Sequence, residues 1–128
     1  FDAAQLNLVK LLASTYFSRV FVTFLDAKMK LTTRGHYSVK ALLDLSLQPG
    51  FGPTSVKAIA QRQDLPAPYL EKLLIEMRRA GLVHSMRGAQ GGYQLARPPA
   101  QISLGQILEA VGEAIEPLPH HFPDDSQA

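Results

Sequence analysis

Pro66-Ala67-Pro68-Tyr69-Leu70-Glu71-Lys72-Leu73-Leu74-Ile75-Glu76-Met77-Arg78-Arg79-Ala80-Gly81 is the stretch on which the reading of this chain turns. Leu70, Leu73, Leu74 and Met77 recur at i, i+3, i+4 and i+7, which aligns them as one apolar stripe of a helix. Tyr69, Glu71, Lys72, Glu76, Arg78 and Arg79 fall largely off that stripe, towards water or a partner. Pro68 suits a first helical turn, where a missing N–H costs nothing. Gly81 suits the position just past the end, where the backbone turns left-handed. Arg78 and Arg79 sit in the last turn, where the helix dipole favours cations.

The flanking residues make this helix specific. Before it, Ser55 to Gln63 reads as a short helix capped by Thr54 or Ser55, with Val56, Ile59 and Ala60 inward and Lys57 and Arg62 pointing elsewhere. The connection through Asp64-Leu65-Pro66 is so short that the two helices must cross at an angle. After it, Val83 to Met86 and Tyr93 to Ala96 read as a hairpin, with Gly88, Gly91 and Gly92 permitting positive φ at the tip. The order helix, turn, helix, glycine-tipped hairpin predicts a mainly α fold with a small β-hairpin, a winged helix-turn-helix. In that arrangement the second helix of the pair enters the DNA major groove.

Charge agrees with a polyanion partner. Residues 29–98 hold ten of the thirteen Lys and Arg but only four of the eleven acids, whereas residues 99–128 hold five acids and no Lys or Arg. The basic excess thus coincides with the helix pair and wing. A solvated basic surface is the plainer reading of the same asymmetry. With 46% hydrophobic and 19% charged residues, the 128-residue chain has the make-up of one folded domain, not of a disordered one. It contains no cysteine, which excludes disulfides and any metal or iron–sulfur site held by thiolates of these residues.

The remaining elements follow from periodicity and caps. Leu6 to Leu25 reads as an apolar helix, too interrupted by Asn7, Lys10 and Arg19 to span a membrane. The cluster Tyr16, Phe17, Val20, Phe21 and Phe24 calls for a cover, from this domain or a second copy. Residues 1–28 are therefore assigned as an apolar N-terminal helix, with a dimer interface as the hypothesis for its role. Met29 to Gln48 reads as the first helix of the 29–116 DNA-binding domain, capped by Thr32 or Thr33 and broken by Pro49-Gly50-Phe51-Gly52-Pro53. Ser103 and Gln106 form a capping box for a last helix ending near Glu113, with Leu104, Ile107, Leu108 and Val111 inward. Residues 117–128, with three prolines, read as a flexible linker or tail.

Met29-Lys30-Leu31-Thr32-Thr33-Arg34-Gly35-His36-Tyr37, Tyr69-Leu70-Glu71, Arg78-Arg79-Ala80-Gly81-Leu82-Val83 and Arg87-Gly88-Ala89-Gln90-Gly91-Gly92-Tyr93 together resemble the Rrf-two, or IscR-type, family of bacterial transcription regulators. The resemblance runs from Met29 to about Glu116. It implies a dimeric, cytoplasmic DNA-binding repressor or activator whose base-reading tyrosine and glutamate match Tyr69 and Glu71, and whose minor-groove arginine matches Arg87. Two serines frequent at the start of the family's recognition helix are replaced by Pro66 and Pro68, which carry no hydroxyl. The family's cluster-binding members use three cysteines and usually a histidine in a loop where this chain has His120 and His121. No cofactor is therefore expected from this chain. The family's long C-terminal dimerisation helix is absent here, so the sequence reads as incomplete or unusually joined.

The expected DNA contacts are Pro68, Tyr69, Glu71 and Lys72 on recognition helix 67–80, and Arg87, Gly88 and Gln90 in wing 87–93. Arg34, Lys57 and Arg79 are assigned to the phosphate backbone. Glu71 is suited to accept from cytosine N4 and, because a carboxylate repels phosphates, to set preference more than affinity. Metal, phosphate-cradle and catalytic readings are weaker. His120 and His121 are adjacent, no Lys-Ser or Lys-Thr follows the wing glycines, and no Ser/His/acid constellation stands out. The alternatives to DNA binding are a winged helix that docks an acidic protein, and a metal- or cluster-responsive regulator with a site not made of this chain's cysteines.

Overall fold

The computed structural model describes residues 5–12 and 31–113. In chain order the elements are α1 (Leu8–Leu12), α2 (Thr33–Ser46), α3 (Val56–Gln63), α4 (Ala67–Arg79), β1 (Val83–Met86), β2 (Gly92–Leu95) and α5 (Leu104–Ala110). Short 3-10 turns at Pro49–Phe51 and Pro99–Gln101 fill two connections.

Helix α2 is the core's central post. Its Val39, Ala41, Leu42 and Leu45 are fully buried, and they meet Ile59 of α3, the Leu70/Leu73/Leu74/Met77 stripe of α4, and Leu104, Ile107 and Leu108 of α5. Each fully buried leucine contributes about 1.5–3 kcal/mol. The helix starts at Thr33, later than the Met29 start expected from sequence; Leu31 is not helical, and residues 29 and 30 lie outside the described residues. Thr32 is the cap: its hydroxyl accepts from the Gly35 N–H at 3.3 Å. The Thr32 N–H and hydroxyl in turn donate to the Glu113 carboxylate at 2.8 and 2.6 Å, which sets an anion at the helix's positive end.

The helix pair is joined as its sequence requires. Asp64 takes a left-handed conformation (φ 57°), the Leu65 N–H reaches back to the Ala60 carbonyl, and buried Leu65 plugs the corner. Val56, expected inward, is only half-buried. Between α2 and α3 lies a polar seam. Buried Asp44 accepts from Arg62 Nε and Nη2, both at 2.9 Å, and from Gln63 Nε2 at 3.1 Å. Lys40 Nζ donates to the Gln63 carbonyl, where the end of α3 favours a cation. Arg62 therefore does not simply point away from the core, as its place off the apolar face suggests; it neutralises a carboxylate inside it.

Both later helices close with paired backbone bonds. At α4, the Leu82 N–H reaches the Met77 carbonyl and the Gly81 N–H (φ 81°) the Arg78 carbonyl. At α5 the same pattern joins Glu113 to Leu108 and Gly112 to Glu109, so the helix stops at Ala110 and not near Glu113. The sequence reading followed the apolar periodicity past Val111, but Gly112 adopts φ 74° and ends the helix. That turn aims Glu113 at Thr32. The Ser103/Gln106 capping box is present.

The hairpin pairs Val83 with Leu95 and Met86 with Gly92, one residue earlier on the second strand than the expected Tyr93 to Ala96. Tyr93 and Leu95 then face inward. On its other side Tyr93 bonds Thr54 in both directions, at 2.8 and 2.9 Å, so the segment before α3 edges the wing. Gly92 (φ 144°) permits this: a Cβ there would fall on the Thr54 carbonyl.

The N-terminal segment joins the same core. The Leu8 N–H donates to the Ile102 carbonyl, the Leu104 N–H donates to the Leu6 carbonyl, and Leu8 is fully buried. Helix α1 begins at Leu8, after an extended Leu6-Asn7, where one helix from Leu6 was expected. The rest of the expected Leu6–Leu25 helix, with Tyr16, Phe17, Val20, Phe21 and Phe24, lies outside the described residues, as does the 117–128 tail. Among the described residues no helix is long and apolar enough to cross a membrane.

Candidate nucleic-acid interface

Helix α4 buries Leu70, Leu73, Leu74 and Met77 and turns Pro68, Glu71 and Lys72 to solvent. Tyr69 is divided between the two. It is half-buried, and its ring meets Tyr37 of α2 edge-on at 5.8 Å, so the residue packs the helix start against the core as well as flanking the exposed face. The wing residues Arg87, Gly88 and Gln90 are all exposed, and the tip is closed by a Gly91 N–H to Gly88 carbonyl bond.

Beyond the shared apolar core, a side-chain hydrogen bond ties helix to wing. The Tyr93 hydroxyl of β2 donates to Glu71 Oε2 at 3.4 Å. Tyr93 is buried, and burial first, then the Glu71 charge, push its phenol above the ordinary tyrosine value, against a smaller opposite pull from Arg78. Glu71 and Arg78 are seven residues apart on α4 and so share the flank that faces the wing. Lys57 is exposed in the first turn of α3, three residues beyond Thr54, the residue that pairs with Tyr93.

The other two assigned cations lie elsewhere. Arg79 lines an open groove of about 580 Å³ with Glu76, Leu82, Arg97, Gln106 and Glu109, at the far end of α4. Seven residues separate it from Lys72, so the two share a flank of the helix about 10 Å apart along the axis. Arg34 is half-buried on α2 with Nε sealed from solvent, and no hydrogen bond or ion pair among the described residues joins it to α4 or the wing. Sequence reasoning placed Tyr93 in the wing strand and named Thr54 only as an alternative cap for α3, a role Ser55 takes; it did not pair the two. The two-residue alternation placing Tyr93 and Leu95 on one face was available, but not the partner Thr54 supplies.

Among the described residues no three His, Cys, Asp or Glu side chains gather as a metal site, and the sequence offers no thiolate. His36 lies on α2 and His84 on β1; His120 and His121 fall outside the described residues. An iron–sulfur cluster held by cysteines does not fit this donor set.

A family model described as "Rrf2: Iron-dependent Transcriptional regulator" matches residues 31–128. A putative HTH-type transcriptional regulator of Synechocystis is 67% identical over 100 residues, covering 78% of this chain and 68% of that protein. The HTH-type transcriptional regulator IscR of Cereibacter sphaeroides is 46% identical over 92 residues, 70% of this chain and 59% of its own length. Among solved structures, T. potens IscR superposes with a TM-score of 0.61 at 47% identity, covering 76% of this chain and 67% of that one. CymR, titled the global cysteine regulator of B. subtilis, gives 0.64 at 38%, covering 76% and 75%. The chain thus spans about three fifths to two thirds of the curated relatives named. These relatives are transcriptional regulators, not enzymes.

Proposed function

Because the chain belongs to the Rrf2 family of transcriptional regulators, we propose that it is a sequence-specific DNA-binding regulator acting as a dimer on a two-fold operator. Residues 67–80 enter the major groove and the wing, 87–93, the minor groove. The observation that carries this reading is the Glu71–Tyr93 contact, which holds the exposed start of α4 and the base of the wing on one side of the domain. Pro68, Lys72 and Arg87 are exposed on the same two elements. Lys72 and Lys57 neutralise phosphates, and Arg87 enters a groove about 6 Å wide. Glu71 accepts from a base edge, a contact worth about 1–3 kcal/mol of discrimination. Arg79 and Arg34 are assigned phosphate contacts at the margins of this surface.

No part is given to a cluster held by thiolates of these residues, and a role on DNA places the protein in the cytoplasm. Iron content and the visible spectrum of protein purified without oxygen test the wider expectation that the chain holds no cofactor; stoichiometric iron would refute it. The DNA reading is tested by selection from randomised duplexes, followed by binding across a salt titration. Wild type should recover a two-fold site and bind it with affinity falling steeply in salt. Arg87→Ala should weaken binding to that site, and Glu71→Ala should broaden the recovered motif more than it weakens binding. Recovery of no motif, with binding indifferent to salt, would refute the reading. Sedimentation should give twice the chain mass.

A further inference from the structure

We propose that Tyr93 is a positioning residue for base recognition, its hydroxyl holding the Glu71 carboxylate in the direction from which it reads DNA. This rests on the reading above, in which Glu71 meets a base edge. Glu71 is an exposed glutamate with three rotatable side-chain bonds, and the bond from Tyr93 is the one side-chain hydrogen bond it makes among the described residues. That bond uses one lone pair of Oε2, and Oε1 is left to accept from an amino donor on a base.

The phenol is fixed from behind. Tyr93 is 5% exposed, and its backbone is clasped at both N–H and carbonyl by Thr54. Thr54 Oγ1 accepts from Arg62 Nη2 at 3.1 Å, and Arg62 is forked onto buried Asp44. A chain of hydrogen bonds thus runs from α2 through α3 to the wing strand and ends at the carboxylate. Arg78 adds a positive charge beside the same hydroxyl. A tyrosine hydroxyl is protonated at neutral pH in any case, and burial raises this one further, so it stays a donor. A carboxylate already aimed loses less rotamer freedom when DNA binds and rejects a wrongly placed donor more strongly.

The test compares wild type, Tyr93→Phe, Glu71→Ala and the double variant on duplexes recovered by wild type from a randomised pool. Each base pair is substituted in turn, and thermal melting is recorded for each protein. Tyr93→Phe keeps the buried ring and removes only the hydroxyl. It should lower discrimination about threefold to tenfold at the base pair where Glu71→Ala acts, with binding to unrelated duplex unchanged. In the Glu71→Ala background it should have no further effect, which a purely structural role for the hydroxyl would not produce. Glu71→Asp, which withdraws the carboxylate by one methylene and leaves the core untouched, should broaden the same position. Unchanged discrimination in Tyr93→Phe or Glu71→Asp, while Glu71→Ala broadens it, overturns the proposal and leaves DNA reading by Glu71 standing. A further loss of discrimination when Tyr93→Phe is added to Glu71→Ala also overturns it. If Glu71→Ala itself changes nothing, the base-reading role of Glu71 falls, and the positioning role with it.

Discussion

Replacing Arg62 by methionine removes the guanidinium from Asp44 while keeping much of the aliphatic stem. The Asp44 side chain is 3% exposed and that of Arg62 40%, with two N–O contacts of 2.9 Å between them. Breaking a fully buried pair by removing one partner costs about 3–5 kcal/mol, because the other charge stays behind without compensation. Two features reduce that here. Arg62 is substantially exposed, so water enters the space it leaves, and Gln63 Nε2 still donates to Asp44 Oδ1 at 3.1 Å. A loss of about 2–3 kcal/mol is expected. For a domain of this size that lowers Tm by about 10 °C or more. Urea unfolding of Arg62→Met, Asp44→Asn and the double variant checks the cause: the double variant should be less destabilised than the two single changes added together. Arg62→Met within about 0.5 kcal/mol of wild type, or strict additivity in the cycle, would refute the claim that the pair closes the α2–α3 seam.

Three further outcomes follow from the packing. Gly92→Ala puts a Cβ on the Thr54 carbonyl at a φ of 144°, so it should cost about 2 kcal/mol or more and raise hydrogen exchange at the Thr54 and Tyr93 amides; protection equal to wild type would count against the close approach. Ser103→Ala removes the α5 cap and should cost about 1 kcal/mol in denaturant unfolding. Tyr93 has a phenol raised above its ordinary value by burial, so the folded state retains that proton where the unfolded chain releases it. Stability should therefore fall as pH rises from the unfolded tyrosine's range towards the folded one, and Tyr93→Phe should show a shallower alkaline decline in Tm.

The helix pair was legible because its signals are local. The 3–4 spacing of Leu70, Leu73, Leu74 and Met77, the Ser103/Gln106 box and the Gly81 stop each act within one or two turns, where chain connectivity supplies the partner. The end of α5 was misread because Val111 keeps the apolar rhythm while the backbone has already turned at Gly112. The hairpin slipped by one residue because alternation over four residues constrains register weakly, and the deciding partner, Thr54, lies nearly forty positions away.

Residue order alone determined which faces are greasy, where the caps of α2, α3 and α5 lie to within a residue, and that the basic residues gather in the segment holding the helix pair and wing, since these depend on spacing along one chain. The tertiary structure decided which charges are internal and which face outward together. Arg62 and Asp44 neutralise each other inside the domain, Arg79 opens onto a separate groove, and Tyr93 reaches across to Glu71. Those outcomes depend on how separate elements approach in space, because the energy of a charge is set by its surroundings, and neighbours in sequence do not reveal them.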